Sequence, residues 1–270
     1  MIDIHSHILP GIDDGAEGIA QSLQIARQME AAGFRGVIAT PHVMEGQPFL
    51  PARQILVAAE GFQQELEKTG IHLKVYPGGE HYIFPELAGW LKKGKLLTLG
   101  MTGKYILIEL PSTDIPTYTE QVFFELQVQG ITPILAHPER YPQLEQNPKI
   151  LYEWLEKGVL YQLNLKSLTG QYGPRVQAMA VNLLGCGLVH FIGTDTHRPS
   201  SKAQPYQAEL EELKKHCGAS TIKTLLEDNP QAILEGRTIL VQTENLPAWP
   251  REKSWSQRVR ELIKSKWTKQ

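Results

Sequence analysis

The chain has 270 residues, with 27 Lys and Arg against 29 Asp and Glu, a length that fits one large domain or one domain with a tail. This balance of charge argues against nucleic-acid binding. The two cysteines, Cys186 and Cys217, are too few for a disulfide framework and fit a reducing compartment. The sequence has neither the pattern of a secretory signal nor an apolar run of membrane-spanning length. We therefore expect a cytoplasmic globular protein.

Short apolar segments alternate with helical segments along the chain. Runs rich in Val, Ile and Leu predict strands at 2–7, 36–40, 73–76, 105–110, 132–136, 160–163 and 188–193. Helical periodicity predicts helices at 19–32, 53–68, 119–129, 151–157, 176–184, 206–216 and 221–226. Strands separated by helices pair in parallel through right-handed crossovers, and seven such units are too many for a small open sheet. The pattern predicts an α/β fold with a closed or distorted barrel.

The first strand carries a possible chelating pair, His5 and His7. Residues two apart on a strand share a face, so these imidazoles point the same way and can bind one metal ion. His-x-His alone is weak evidence. Asp13 and Asp14 follow closely and add carboxylates to the same rim, although one of them could instead cap the next helix.

Later strands also end in residues that bind metals. In a parallel barrel the C-terminal strand ends converge on one face, where such folds place their active sites. A mixed set of imidazoles and carboxylates suits several divalent ions that share a site and clamp a phosphoryl group. The later candidates are His42, Glu80, Glu109, His137, Asp195 and His197.

Two arginines near these candidates could bind phosphate. Arg140 comes three residues after His137, and Arg198 directly follows His197. The planar guanidinium group matches phosphate geometry, which lysine does not. We expect both arginines in the catalytic site, with a surface salt bridge as the alternative role of each.

Several short motifs, taken together, resemble one known family. They are Asp3-Ile4-His5-Ser6-His7, Asp13-Asp14-Gly15, Thr40-Pro41-His42, Gly79-Glu80, Leu107-Ile108-Glu109, Ala136-His137-Pro138-Glu139-Arg140 and Asp195-Thr196-His197. Over roughly residues 1–240 the chain resembles the PHP (polymerase and histidinol phosphatase) superfamily, and within it the bacterial tyrosine-protein phosphatases of capsular and exopolysaccharide operons. The resemblance implies a distorted (β/α)7 TIM-like barrel.

The resemblance also implies a trinuclear metal centre and its ligands. It suggests one metal held by His5, His7, Glu80 and Asp195. It suggests a second held by Glu80, Glu109 and His137, and a third held by Asp14, His42 and His197. It implies two or three divalent ions, with manganese expected and iron or zinc as alternatives, and Arg140 as a phosphate ligand.

The implied reaction is hydrolysis of phosphotyrosine on protein by metal-activated hydroxide. The expected substrate is a bacterial tyrosine kinase that controls polysaccharide export. Three alternatives stay open: a PHP phosphatase of a small phosphomonoester such as histidinol phosphate, an amidohydrolase-type enzyme, and a non-catalytic metal-stabilised scaffold that docks a kinase. A cysteine-based tyrosine phosphatase is excluded, since the residues six after Cys186 and Cys217 are Ile192 and Lys223 rather than arginine.

We predict a catalytic domain at 1–240 and a basic C-terminal tail at 241–270. Trp255, Val259, Leu262, Ile263 and Trp267 recur at helical spacing among lysines and arginines. Such a helix could contact the inner face of the membrane or a partner protein. The alternative is a terminal helix that packs on the domain or frays.

Overall fold

The structure, a computed structural model, describes residues 1–46, 49–241 and 243–250. Its strands are β1 Ile2–Ser6, β2 Gly36–Ala39, β3 His42–Val43, β4 Lys74–Pro77, β5 Glu80–Tyr82, β6 Tyr105–Glu109, β7 Thr132–Ala136, β8 Leu160–Asn164 and β9 Phe191–Gly193. All strand pairs are parallel, in one sheet of order β1-β2-β4 and another of order β3-β5-β6-β7-β8-β9. The predicted strand positions are thus confirmed, although β9 begins three residues later than expected.

Two of the seven barrel positions hold a broken strand. β2 and β3 are separated by Thr40 and Pro41, and proline cannot donate to a sheet. β4 and β5 are separated by Gly78 and Gly79, and a Cβ at Gly78 would lie 2.8 Å from the Ile38 side chain. The second half of each broken strand begins at a candidate ligand, His42 or Glu80, so both breaks lie beside the predicted metal centre.

Contacts between the first and last strands join the two sheets. The His7 amide donates to the Thr196 carbonyl at 3.1 Å, and the Asp195 amide donates to the His5 carbonyl at 2.8 Å. The buried Asp3 carboxylate accepts hydrogen bonds from the Thr194 amide and hydroxyl at 3.0 and 2.6 Å. These bonds bring the ends of β1 and β9 together and confirm the curled, parallel barrel-like α/β fold.

Helices cover the outside of the strands. They are α1 Ile19–Ala31, α2 Ala52–Lys68, α3 Leu87–Lys92, α4 Thr119–Val128, α5 Pro142–Gln146, α6 Lys149–Glu156, α7 Pro174–Gly185, α8 Gln207–His216, α9 Ala219–Lys223 and α10 Asn229–Leu234. In α2, Ile55, Ala59, Phe62 and Leu66 are buried at spacings of three and four residues, which places them on one face. Burial of each large side chain contributes about 1.5–3 kcal/mol. Sequence analysis missed α3, α5 and α10, which are short.

A buried histidine outside the metal centre should make stability depend on pH. Nδ1 of His190 accepts the Tyr161 amide proton at 3.1 Å, and burial lowers the pKa of His190 from 6.5 to about 4. Between these two pKa values only the unfolded chain binds this proton. The contribution of neutral His190 to the free energy of unfolding is therefore fully present above pH 6.5 and is lost as the pH falls towards 4. The slope is at most about 1.4 kcal/mol per pH unit, hence on the order of 3 kcal/mol in total.

His190→Asn tests this expectation, since asparagine keeps an acceptor but does not titrate. Urea unfolding in excess chelator should show a smaller loss of stability between pH 6.5 and 4 in the variant than in the parent. Equal losses in both proteins would contradict the assignment. Taking the difference between the two proteins removes the contribution of the other histidines.

The part of the predicted tail that the structure describes lies against the barrel. The Tyr152 hydroxyl donates to the Pro247 carbonyl at 2.7 Å, and Leu246 and Trp249 pack against the core. The predicted helix with Trp255 and Trp267 lies outside the described residues, and the boundary at 240 stays a prediction. None of the helices in the described ranges has the length and apolar character needed to cross a bilayer.

Candidate metal centre

Glu80 lies at the centre of a cluster of imidazoles. Its Oε2 lies 3.1 Å from His5 Nε2, 3.3 Å from His7 Nε2 and 3.2 Å from His42 Nδ1. Its Oε1 lies 2.9 Å from His137 Nε2. Four rings, from the ends of β1 and β7 and the start of β3, therefore meet one carboxylate that is 1% exposed.

Asp195 and Glu109 place two more carboxylates around these rings. Asp195 Oδ1 lies 3.7 Å from His5 Nε2 and 3.4 Å from His7 Nε2. Glu109 Oε1 lies 3.7 Å from His137 Nε2, and its Oε2 lies 3.6 Å from His42 Nδ1. Glu80 and Glu109 thus flank the same pair of imidazoles.

The solvent-facing side of the cluster is formed by Asp14, His42 and His197. Asp14 Oδ1 lies 3.4 Å from His197 Nε2 and 3.7 Å from His42 Nε2. The ring of His197 stacks on that of His7, with centroids 3.9 Å apart. All nine side chains that sequence analysis selected as metal ligands therefore lie in one group.

The group contains three sets whose ligand atoms lie within 4.8 Å of one another. They overlap the three expected sets without matching them. His7 joins Asp14, His42 and His197, and His42 also belongs to a set with Glu80 and Glu109. The sets are His7, Asp14, His42 and His197; His5, His7 and Glu80; and His42, Glu80 and Glu109.

The atoms at the centre suit bound cations. Glu80 Oε2 and His42 Nδ1 are buried and, although they lie 3.2 Å apart, make no hydrogen bond with each other or with another described residue. His5 Nε2 and His7 Nε2 face each other at 3.3 Å. Buried polar atoms normally have partners, and a divalent ion would satisfy these lone pairs together.

The charges of the cluster depend on each other. Burial alone raises the pKa of Glu80, but His5, His137 and His7 outweigh it and hold this pKa well below its usual range. Burial lowers the pKa of His5, but Glu80 and Asp195 outweigh it and raise this pKa to about 9. Burial and the Glu80 charge raise the pKa of Glu109 to about 8. A metal that binds here displaces protons, so its affinity decreases at lower pH.

Two of the buried residues have left-handed backbone conformations. His137 follows β7 directly with a φ of 34°, and Asp195 follows β9 closely with a φ of 47°. Positive φ is uncommon for residues other than glycine and is found at functional sites where the surroundings stabilise it. Both conformations occur where the chain leaves a barrel strand at the rim of the cluster.

Asp13 and Asp14 have different surroundings. Asp13 Oδ2 accepts a hydrogen bond from His7 Nδ1 at 2.7 Å and from the His42 amide at 3.0 Å. This bond leaves His7 Nε2 facing Glu80, the arrangement expected of a carboxylate that orients a metal-binding histidine. Asp14 instead approaches His42 and His197. Sequence analysis did not separate these two roles.

Sequence analysis also missed two polar residues on β8, the strand for which it found no ligand. His5 Nδ1 donates to Gln162 Oε1 at 2.7 Å, Gln162 Nε2 donates to Asn164 Oδ1 at 2.9 Å, and Asn164 Nδ2 donates to Asp195 Oδ2 at 2.7 Å. A Cβ at Gly193 would lie 2.6 Å from Gln162 Nε2 and 2.7 Å from His5 Cβ, so this chain of bonds requires glycine there. The polar residues two apart on β8 were the signal for this relay.

We expect Gln162→Met to weaken metal binding or kcat/KM by about 10–100-fold, the usual effect of removing a residue that orients a ligand. Asn164→Leu should act similarly. The free-energy loss in the double variant should be smaller than the sum of the losses in the two single variants, because both residues belong to one hydrogen-bonded chain. Metal titration by calorimetry and steady-state kinetics measure these effects, and exposed Gln121→Met serves as the control. Wild-type metal affinity and kcat/KM in Gln162→Met would contradict the role of the relay.

The two predicted arginines differ in position. Arg140 Nη1 donates to Asp195 Oδ2 at 3.2 Å, and its guanidinium lies 5.3 Å from the centre of the Tyr172 ring. Arg198 is about half exposed, and its Nη2 lies 3.5 Å from Glu17 Oε1. Arg140 therefore directly borders the cluster, whereas Arg198 lies at its edge.

Comparisons with known proteins agree with this geometry. The tyrosine-protein phosphatase YwqE of Bacillus subtilis is 39% identical over 242 residues, which is 90% of this chain and 94% of that protein. The tyrosine-protein phosphatase CpsB of Streptococcus pneumoniae is 30% identical over 247 residues, 88% of this chain and all of that protein.

Two solved structures also resemble this chain. One from work on YwqE of Bacillus subtilis and CpsB of Streptococcus pneumoniae, described as unique metal-dependent tyrosine phosphatases, matches with a TM-score of 0.85 and 38% identity over 92% of this chain and all of that chain. Histidinol phosphate phosphatase of Lactococcus lactis matches at TM-score 0.52 and 14% identity over 80% of this chain and 94% of that one, a likeness of fold alone. The family model for capsular polysaccharide synthesis, CpsB/CapC, matches residues 1–235, and the chain belongs to that family.

Proposed function

We propose that the chain is a metal-dependent protein-tyrosine phosphatase. The observation that carries this proposal is the enclosure of Glu80 by four imidazoles, with a guanidinium group bordering the same cluster. The 39% identical relative named as a tyrosine-protein phosphatase supports phosphotyrosine over a small metabolite as the substrate. The scaffold alternative is not favoured, because every predicted ligand is present in the cluster.

The proposed ligands are the nine clustered side chains, for two or three divalent ions. They are His5, His7, Asp14, His42, Glu80, Glu109, His137, Asp195 and His197. We propose manganese, with iron or zinc as alternatives, since the same ligand types accept several such metals. When bound, these ions supply an activated water and positive charge next to the phosphoryl group.

The chain's own groups position the substrate and balance its charge. Arg140 lies beside Asp195 and would bind the phosphoryl oxygens, where its charge offsets the negative charge that develops during transfer. Arg198 is the second proposed phosphate contact, from the edge of the cluster. Gln162 and Asp13 orient His5 and His7, respectively. Because phenolate is a fair leaving group, with a pKa of about 10, no strong general acid is required.

We further propose the biological setting. The substrate is a phosphotyrosine protein, and a bacterial tyrosine kinase that acts in polysaccharide export is the proposed partner. Membership of the capsular polysaccharide synthesis family supports this proposal. We also propose that the reaction takes place in the cytoplasm and that the tail contacts the membrane or the partner.

Hydrolysis of a phosphotyrosine peptide tests the proposal. Chelator should reduce turnover to background, and manganese added afterwards should restore it. Histidinol phosphate, at equal concentration, should be hydrolysed far more slowly than the peptide. Turnover unchanged by chelator would disprove metal dependence, and preference for histidinol phosphate would favour the small-molecule alternative.

A further inference from the structure

A cavity of about 440 Å³ opens beside the metal centre. Its walls include the turn Leu165–Thr169, the chain that follows β9, and residues at the start of α8. Asp195 and His197 line the cavity and also belong to the metal cluster. A substrate with its phosphate at the cluster can therefore reach directly into this cavity.

Three cationic side chains contribute to the lining. Lys166, Arg198 and Lys202 face two carboxylates, Asp195 and Glu209. Glu209 is already paired with Lys202, whose Nζ lies 3.0 Å away, and Asp195 is a proposed metal ligand. Because Arg198 lies near Glu17 and Lys202 pairs with Glu209, Lys166 is the cation of the lining that has no ion pair with a described carboxylate.

Lys166 is the cation with the least compensation. Its Nζ donates to the Asp195 carbonyl at 3.3 Å, and no carboxylate oxygen of the described residues lies within 4 Å of it. An ammonium group has three donors, and a buried cation without an anion is unfavourable. Lys166 therefore has donors available for an anionic ligand.

The cavity is large enough for a whole side chain, since ligand pockets begin at about 300 Å³. Tyr172 and Tyr206 contribute aromatic surface to the same walls. We propose that the cavity binds an anionic side chain, carboxylate or phosphate, of the substrate protein close in sequence to the phosphotyrosine being hydrolysed. This rests on the proposed function. It makes the enzyme selective for phosphotyrosines in acidic or multiply phosphorylated segments.

Matched peptides test this selectivity. The reference peptide has one phosphotyrosine and uncharged neighbours, and its variants carry glutamate or phosphoserine at each of the three positions on either side. At one or more positions we expect kcat/KM to rise about tenfold through a lower KM, as charge-assisted hydrogen bonds would give. The gain should shrink at high salt if surface-accessible cations contribute. Comparing the glutamate peptides with the phosphoserine peptides shows whether the cavity prefers a carboxylate or a phosphate.

Lys202→Met and Lys166→Met should reduce the gain, and Lys166→Arg should restore part of it. Exposed Lys149→Met is the control for loss of charge elsewhere, and it should leave both the gain and the turnover of the reference peptide unchanged. No gain at any position, or a full gain in Lys166→Met, would overturn the inference. If the reference peptide itself is not hydrolysed, the proposed function fails; if it is hydrolysed without any gain, only this inference fails.

Discussion

Replacing Glu80 with alanine is expected to lower kcat for a phosphotyrosine peptide by about 10³-fold or more, because removal of one preorganised electrostatic group already costs about 10²–10³. Glu80 contacts four imidazoles and belongs to two of the three ligand sets. Its loss removes the charge that compensates closely spaced cations. Fewer bound metal ions per chain should accompany the loss of turnover.

Exposed Glu86 follows β5 closely and provides the matched control, as Glu86→Ala removes a carboxylate outside the cluster. Metal content by elemental analysis and circular dichroism should be measured with the kinetics. Glu80→Ala should keep the far-ultraviolet spectrum of the parent. Full activity in this variant would remove Glu80 from the site, whereas an unfolded variant calls for Glu80→Gln, which retains the shape of the side chain.

Arg140→Ala is expected to reduce kcat/KM by about 10²–10³-fold, a loss typical of a group that stabilises transition-state charge. Metal content should stay close to that of the parent, because Arg140 approaches Asp195 from outside the ligand sets. Arg140→Lys should recover only part of the activity, since lysine retains the charge without the paired donors. Unchanged metal content together with reduced turnover would distinguish Arg140→Ala from Glu80→Ala, in which both should fall.

Arg175 is the matched control for Arg140. It is an exposed arginine of α7 that pairs with Glu145, outside the metal cluster. Arg175→Ala should therefore leave kcat/KM within about twofold of the parent, as surface ion pairs contribute little. The role of Arg140 would be contradicted if Arg140→Ala and Arg175→Ala had equal activity, or if Arg140→Lys matched the parent.

Much of the fold could be predicted because its strands are buried and apolar. The 132–136 strand was predicted with the bounds that the structure gives, and β6 differs by one residue. The short helices α3 and α5 contain too few residues to show a clear period. The start of β9 was placed too early because an apolar run does not itself indicate which of its residues pair.

The amino-acid sequence by itself determined the ligand types and their places at strand ends, since strand periodicity and parallel topology apply to short stretches of chain. Only the tertiary structure decided which atoms face one another. Asp13 bonds to His7 while its neighbour Asp14 approaches His197, and Gln162 connects His5 to the relay that ends at Asp195. The bond between His5 and Gln162 joins residues 157 positions apart, and such contacts depend on how the barrel strands pair and how each side chain turns. No local pattern contains that information.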